Sequence, residues 1–104
     1  MAHKIVFAPE ARDDLRQIYL FIAEQAGDAR ALAYVERIEV YCAGFSTFPQ
    51  RGLRRDDLLP GLRIVGFEQR VSIAFPVTTG LVTLDRIFDG GQDLGVLVSP
   101  PETP

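Results

Sequence analysis

Arginines and adjacent carboxylates make up most of the chemistry available in this sequence. Arg51, Arg54, Arg55, Arg63 and Arg70 fall within twenty residues, and Arg86 follows before the acidic C-terminal stretch. A guanidinium grips phosphate or carboxylate well, but its high pKa makes it a poor general base near neutral pH. The pairs Asp13-Asp14 and Asp56-Asp57 are the groups that could support acid–base work or hold a hard cation. Neighbouring positions on a helix point in different directions, however, and Asp56-Asp57 directly follows Arg54-Arg55 in the manner of a solvated, charge-balanced turn. His3 is the single histidine and Cys42 the single cysteine, so neither a His-based triad nor a thiolate metal site can be assembled within one chain. Gly90-Gly91 leads into Gln92-Asp93 without the glycine spacing or lysine of a phosphate-binding loop. No catalytic residue, metal or cofactor is expected.

Charge narrows the partners. Eleven basic against fourteen acidic side chains give a formal net charge of -3, whereas a protein that docks on RNA presents a strong basic footprint. Sequence-specific nucleic-acid binding is therefore disfavoured, with a local arginine face left open. At 104 residues, 47% apolar and 24% charged, the composition is that of one globular domain, set at residues 1–98, with a disordered tail over 99–104. The N-terminus lacks a long apolar segment and no apolar run is long enough to span a membrane. A reducing cytoplasm is the expected setting.

The elements that must position these residues read as α+β. A short strand over 4–7 precedes a helix whose first position suits Pro9, since the missing N–H would be unsatisfied there in any case. Ala11, Leu15, Ile18, Tyr19 and Ile22 recur at helical spacing, with Arg12, Asp13, Arg16, Gln17 and Glu24 on the other face. Gly27 ends this helix and Asp28 is the expected N-cap of a second one running to about Phe45, so the two form an antiparallel hairpin. Leu32, Val35, Ile38 and Cys42 make its stripe, broadened by Tyr34, Tyr41 and Phe45, which is more apolar surface than one small sheet needs. After the break at Phe48-Pro49-Gln50-Arg51-Gly52 and the turn at Leu59-Pro60-Gly61, three strands follow as a meander forming one small sheet. They span 62–67, 71–77 and 81–88, with turns at Glu68-Gln69-Arg70 and Thr78-Thr79-Gly80.

This order, together with A11-R12-D13-D14-L15-R16-Q17-I18-Y19, F21-I22-A23, A33-Y34-V35, F48-P49-Q50-R51-G52, P60-G61-L62-R63, V71 to V77, R86-I87-F88 and G91-Q92-D93, resembles the ParE branch of the RelE/ParE toxin family. The resemblance runs from Ile5 to about Leu97. It implies a toxin of a type II toxin–antitoxin system that poisons DNA gyrase without enzymatic activity of its own and is neutralised by a ParD-like antitoxin. RelE-like relatives instead cut messenger RNA on the ribosome, often with a C-terminal Tyr or His. Here no tyrosine follows Tyr41, no histidine follows His3 and no lysine follows Lys4. That branch, and a homologue that only binds antitoxin, are the alternatives. The chain departs from the family at Pro76, which removes a strand donor so that the strand must expose that position or bend, and at Asp89, where relatives often carry His or Tyr.

Two binding surfaces follow. Leu15, Ile18, Tyr19, Ile22, Leu32 and Val35 are the candidates for the antitoxin, divided between core and a groove that an amphipathic helix would fill, with an extended segment added to a free strand edge. Arg63, Arg70, Arg86 and Asp93 are the candidates for the gyrase contact, with Arg86 able to pair internally with Asp85 or Asp93.

Overall fold

The computed structural model describes residues 2–89, so the expectations for Asp93, for the domain limit at residue 98 and for the tail lie outside the described residues. Strand β1 (Lys4–Phe7) leads into α1 (Pro9–Ala26), α2 (Asp28–Ala43) and a 3-10 turn (Gly44–Ser46). The chain then forms β2 (Leu53–Arg54), β3 (Leu62–Phe67), β4 (Val71–Thr78), β5 (Leu81–Leu84) and β6 (Arg86–Phe88). The six strands among the described residues belong to one open sheet, in the order β1-β5-β4-β3-β2 with β6 also on β4, and β1 runs parallel to β5. The α+β class, the helical hairpin and the antiparallel order after it are as expected. The sheet is larger than a three-strand meander, because β1 joins it and β2 adds an edge. Among the described residues no helix is long and apolar enough to cross a membrane.

A single residue joins the helices. Gly27 sits at φ 96°, a region open to glycine, where its N–H closes α1 on the Ala23 carbonyl at 2.9 Å and its own carbonyl accepts the Ala31 N–H at 3.2 Å. Gly27 therefore fills the N-cap position expected of Asp28. Asp28 is pushed into the first turn of α2, where its carboxylate still complements the helix dipole.

The hairpin lies on one face of the sheet. Leu15 and Ile18 of α1, Tyr34, Ile38 and Cys42 of α2, and Phe45 are buried against Phe67, Val71, Ile73, Phe75, Val82, Leu84 and Ile87. Phe45 and Phe75, both fully buried, stack with ring centroids 4.2 Å apart. Leu62, Ala74 and Phe88 are buried on the opposite face, as the strand alternation requires.

The last strand is not continuous. From Val77 back to Ala74 is three steps along β4, but from Val82 to Arg86 is four along its partner, so Asp85 bulges, its N–H donating to the Ala74 carbonyl at 2.9 Å. Val77 donates its N–H to Gly61 on the β3 side at 2.8 Å. By alternation the Pro76 nitrogen faces the other edge, where the ladder is interrupted by the bulge. The missing donor is thus set at a place where no strand partner needs it.

Candidate functional site

The arginines are held by carboxylates from other elements. Arg86, on β6, donates Nε and Nη2 to Asp14 of α1 at 2.7 and 3.0 Å, and Ile87 adds its backbone N–H to the same carboxylate at 2.8 Å. Asp14 thereby takes the N–H that β6 would otherwise offer to a further strand. The guanidinium lies over Phe88 at 4.6 Å. Arg70 grips Asp89 through Nε and Nη2 at 2.8 and 3.2 Å and stacks against Phe21 of α1 and Tyr34 of α2. Hydrogen bonding to their carboxylates, with burial opposing, raises the pKa of both arginines. The internal partner of Arg86 is thus Asp14 and not Asp85. Asp14 belongs to an acidic pair that the sequence offers only as a candidate for acid–base or metal chemistry.

These two pairs flank one cleft of about 470 Å³ between α1 and β6, with Asp13, Gln17 and Phe21 on its helical side. Arg63 does not join them. It pairs with Phe75 across β3–β4, whereas Arg86 pairs with Ala74, so the two arginines leave opposite faces of the sheet. Arg63 instead donates to the Arg51 carbonyl at 3.3 Å. Arg54 and Arg55 are balanced by Asp56 and Asp57. Of the four gyrase candidates, the structure sets Arg86 in this cleft and Arg70 beside it through Asp89 and Phe21, sets Arg63 apart, and does not describe Asp93.

The antitoxin candidates divide as well. Leu15 and Ile18 are consumed by the core, Ile22 and Val35 pack against it, Tyr19 is half-buried, and Leu32 alone is more than half exposed at 52%. A more open apolar surface lies elsewhere on α2. Ala33, Val40 and Tyr41 face Phe67 of β3 across a groove of about 590 Å³, rimmed by Glu36, Arg37 and Glu68, and Val40 is 73% exposed. Tyr41 forms its floor, 5.0 Å from Phe67 and edge-on to Phe45.

The groove borders an unfinished sheet edge. β2 pairs with β3 only at Ile64 and Arg63. Gly52, at φ 73°, then turns the chain away, and an added Cβ there would lie 2.2 Å from the Ile64 carbonyl oxygen. Beyond that point the N–H and C=O of Gly66 point outward without a backbone partner among the described residues. Val40 and Phe67 escaped the sequence reading because they lie off the main helical stripe and at the end of a strand. The only signal was the excess width of the apolar face.

Comparison with known proteins bears on the fold and the family. The model of the family described as the ParE toxin of the type II toxin–antitoxin system parDE matches residues 5–94. The fold is similar to that in the chromosomal ParDE toxin–antitoxin system from P. aeruginosa, with 23% identity, a TM-score of 0.74, and 86% of this chain and 97% of that chain covered. It is similar at a greater distance to the E. coli DinJ–YafQ toxin–antitoxin complex, with 12% identity, a TM-score of 0.51, and 86% and 93% covered. No curated protein matches the sequence significantly. With nearly nine-tenths of its length matched by that family model, this chain belongs to the ParE toxin family of type II toxin–antitoxin systems.

Proposed function

We propose that this protein is a toxin that works by binding, held inactive by a ParD-like antitoxin in the cytoplasm and acting on DNA gyrase when released. The observation that carries the reading is the α2–β3 groove, an apolar channel beside an open strand edge in a chain of the ParE family. An antitoxin segment can continue the line of β2 past Gly52, pairing with Gly66 while its side chains fill the space over Val40, Tyr41 and Phe67. Leu32 extends the apolar surface for a helical part of the same partner.

A ribonuclease is the less favoured reading because general-base chemistry falls to arginines. Pairing with Asp89 and Asp14 moves Arg70 and Arg86 still further from losing a proton. The α1–β6 cleft lined by Arg86 and by Asp89, the partner of Arg70, is the candidate gyrase contact, with Phe21 as its apolar centre.

The test is induced expression of the chain alone in a bacterial host, scored for viability, together with supercoiling by purified gyrase. Growth arrest with lost supercoiling or accumulated cleaved DNA supports the gyrase reading. Arrest with gyrase active and messages cleaved would transfer the protein to the RelE-like activity. Healthy growth with soluble, folded protein would leave an antitoxin-binding homologue without toxicity.

A further inference from the structure

Beside the α2–β3 groove, and sharing Ala33 and Arg37 with it, lies a smaller cleft of about 350 Å³ over the ends of the helical hairpin. Its walls are apolar at Ile22, Ala26 and Ala33, and three guanidiniums reach it: Arg30 and Arg37 from α2 and Arg70 from the β3–β4 turn. Tyr34 lines it with only 8% of its surface exposed, and its buried hydroxyl has no hydrogen-bond partner among the described residues. An unpartnered buried hydroxyl costs free energy and calls for a reason. Here the ring is covered by Arg37 at 5.0 Å and Arg70 at 5.8 Å, and the hydroxyl lies in the field of two ion pairs, Arg37–Glu68 and Arg70–Asp89. Burial and the Glu68 charge raise the phenol pKa, so the group remains a donor.

The backbone at this place is strained. Glu68 and Gln69, in the three-residue loop between β3 and β4, have φ 51° and 56°, a conformation normally given to glycine or asparagine, and the Arg70 N–H closes the turn on the Phe67 carbonyl at 3.1 Å. Glu68 is held there by both nitrogens of Arg37 at 3.0 Å. Arg30 has no ion-pair partner among the described residues.

We propose that this cleft is the anchor for a side-chain carboxylate of a partner polypeptide lying on α2. The proposal rests on the reading that the groove binds an antitoxin. The carboxylate accepts hydrogen bonds from Arg30 and, as Glu68 gives way, from Arg37, and it supplies the acceptor that the Tyr34 hydroxyl lacks. The apolar walls take the aliphatic stem. A single negative charge suits the site better than a phosphate dianion, which would face Glu68 and Asp89 at close range.

The test is an NMR titration of the full chain with three probes: acetyl-Leu-Glu-Leu-amide, acetyl-Leu-Gln-Leu-amide and inorganic phosphate. The Glu peptide should saturate shifts at the Arg30, Arg37 and Arg70 side chains with an affinity at least tenfold above that of the Gln peptide. Tyr34→Phe should weaken the Glu peptide about tenfold without lowering the thermal midpoint, as expected for one hydrogen bond to a charged group, and Arg30→Gln should weaken it similarly. Equal binding of the two peptides, stronger binding of phosphate, or an unchanged affinity in Tyr34→Phe would each overturn the assignment. The titration uses no antitoxin, so its failure leaves the groove reading standing. Loss of antitoxin binding in Val40→Asp is the separate test of that reading.

Discussion

Asp14 is the residue whose removal tests most directly how the sheet is tied to the helices. Asp14→Ala leaves the Ile87 N–H facing α1 without an acceptor, a loss of about 1–3 kcal/mol for a buried donor. It also ends the bidentate pair with Arg86, which at 31% side-chain exposure can turn to water, so that part is worth only about 1 kcal/mol. Alanine returns roughly 0.5 kcal/mol in helix propensity. The net loss is about 2–3 kcal/mol, a fall in midpoint of roughly 10 °C or more for a chain of this size. Asp14→Asn keeps a carbonyl oxygen for Ile87 and should lose about 1 kcal/mol. Arg86→Met removes the pair alone and should cost a similar amount. Urea unfolding of the three variants, read as midpoint at unchanged slope, separates the contributions. If Asp14→Asn costs as much as Asp14→Ala, or if the alanine variant loses less than about 0.5 kcal/mol, Asp14 does not hold the β6 edge and the reasoning fails.

Glycine substitutions should divide by what surrounds them. Gly61→Ala meets the Val77 carbonyl oxygen at 2.5 Å as well as a left-handed φ of 80°, and should destabilise by more than about 2 kcal/mol, whereas Gly80→Ala, at φ 74° in open space, should cost about 1 kcal/mol. Equal losses on thermal melting would contradict the close approach at Gly61. Gln69→Gly relieves the second left-handed residue of the β3–β4 turn and should raise stability by about 0.5–1 kcal/mol; a lower midpoint would show that the turn is not strained. Burial pushes the Cys42 thiol up to about 12 from 9.0. Its contribution is complete below pH 9 and is lost as pH rises toward 12, because the unfolded chain gives up the proton first, at about 1.4 kcal/mol per pH unit. Cys42→Ala should flatten that alkaline decline, leaving the part due to Tyr34 above pH 10.

The helical hairpin was legible because Pro9 starts it and Gly27 turns it by backbone chemistry that no neighbour can change. The β3–β4 turn was legible because apolar alternation stops on both sides of it. The break at Asp85 was not: Val82 and Leu84 point into the core, but after the bulge the inward residue is Ile87, and a period-2 count runs straight across that phase change. β2 gave no signal because its two exposed residues are strand only by virtue of Ile64 and Arg63 opposite them. Among the candidate residues, the sequence named Arg70 and Arg86 but gave no sign of the α1–β6 cleft lined by Arg86 and by Asp89, the partner of Arg70. That cleft depends on Asp14 and Phe21, seven residues apart on α1 and therefore on one face, meeting a strand more than seventy residues later.

Because Arg37, Arg70 and Arg86 are already paired, a partner that uses them exchanges one carboxylate for another and gains little net Coulomb energy. Affinity must then come from apolar area removed from water over Val40, Tyr41 and Phe67, while the arginines decide which partner fits. The proposed antitoxin complex should accordingly weaken by less than about tenfold between roughly 0.05 and 0.5 M salt, where screening cuts the reach of exposed charges severalfold. Val40→Asp should weaken it by at least about a hundredfold, through the cost of burying a charge in an apolar contact. The same substitution should leave the free chain folded, since Val40 is 73% exposed there. An affinity that falls by several decades with salt while tolerating Val40→Asp would mean that charge, and not the groove, holds the partner.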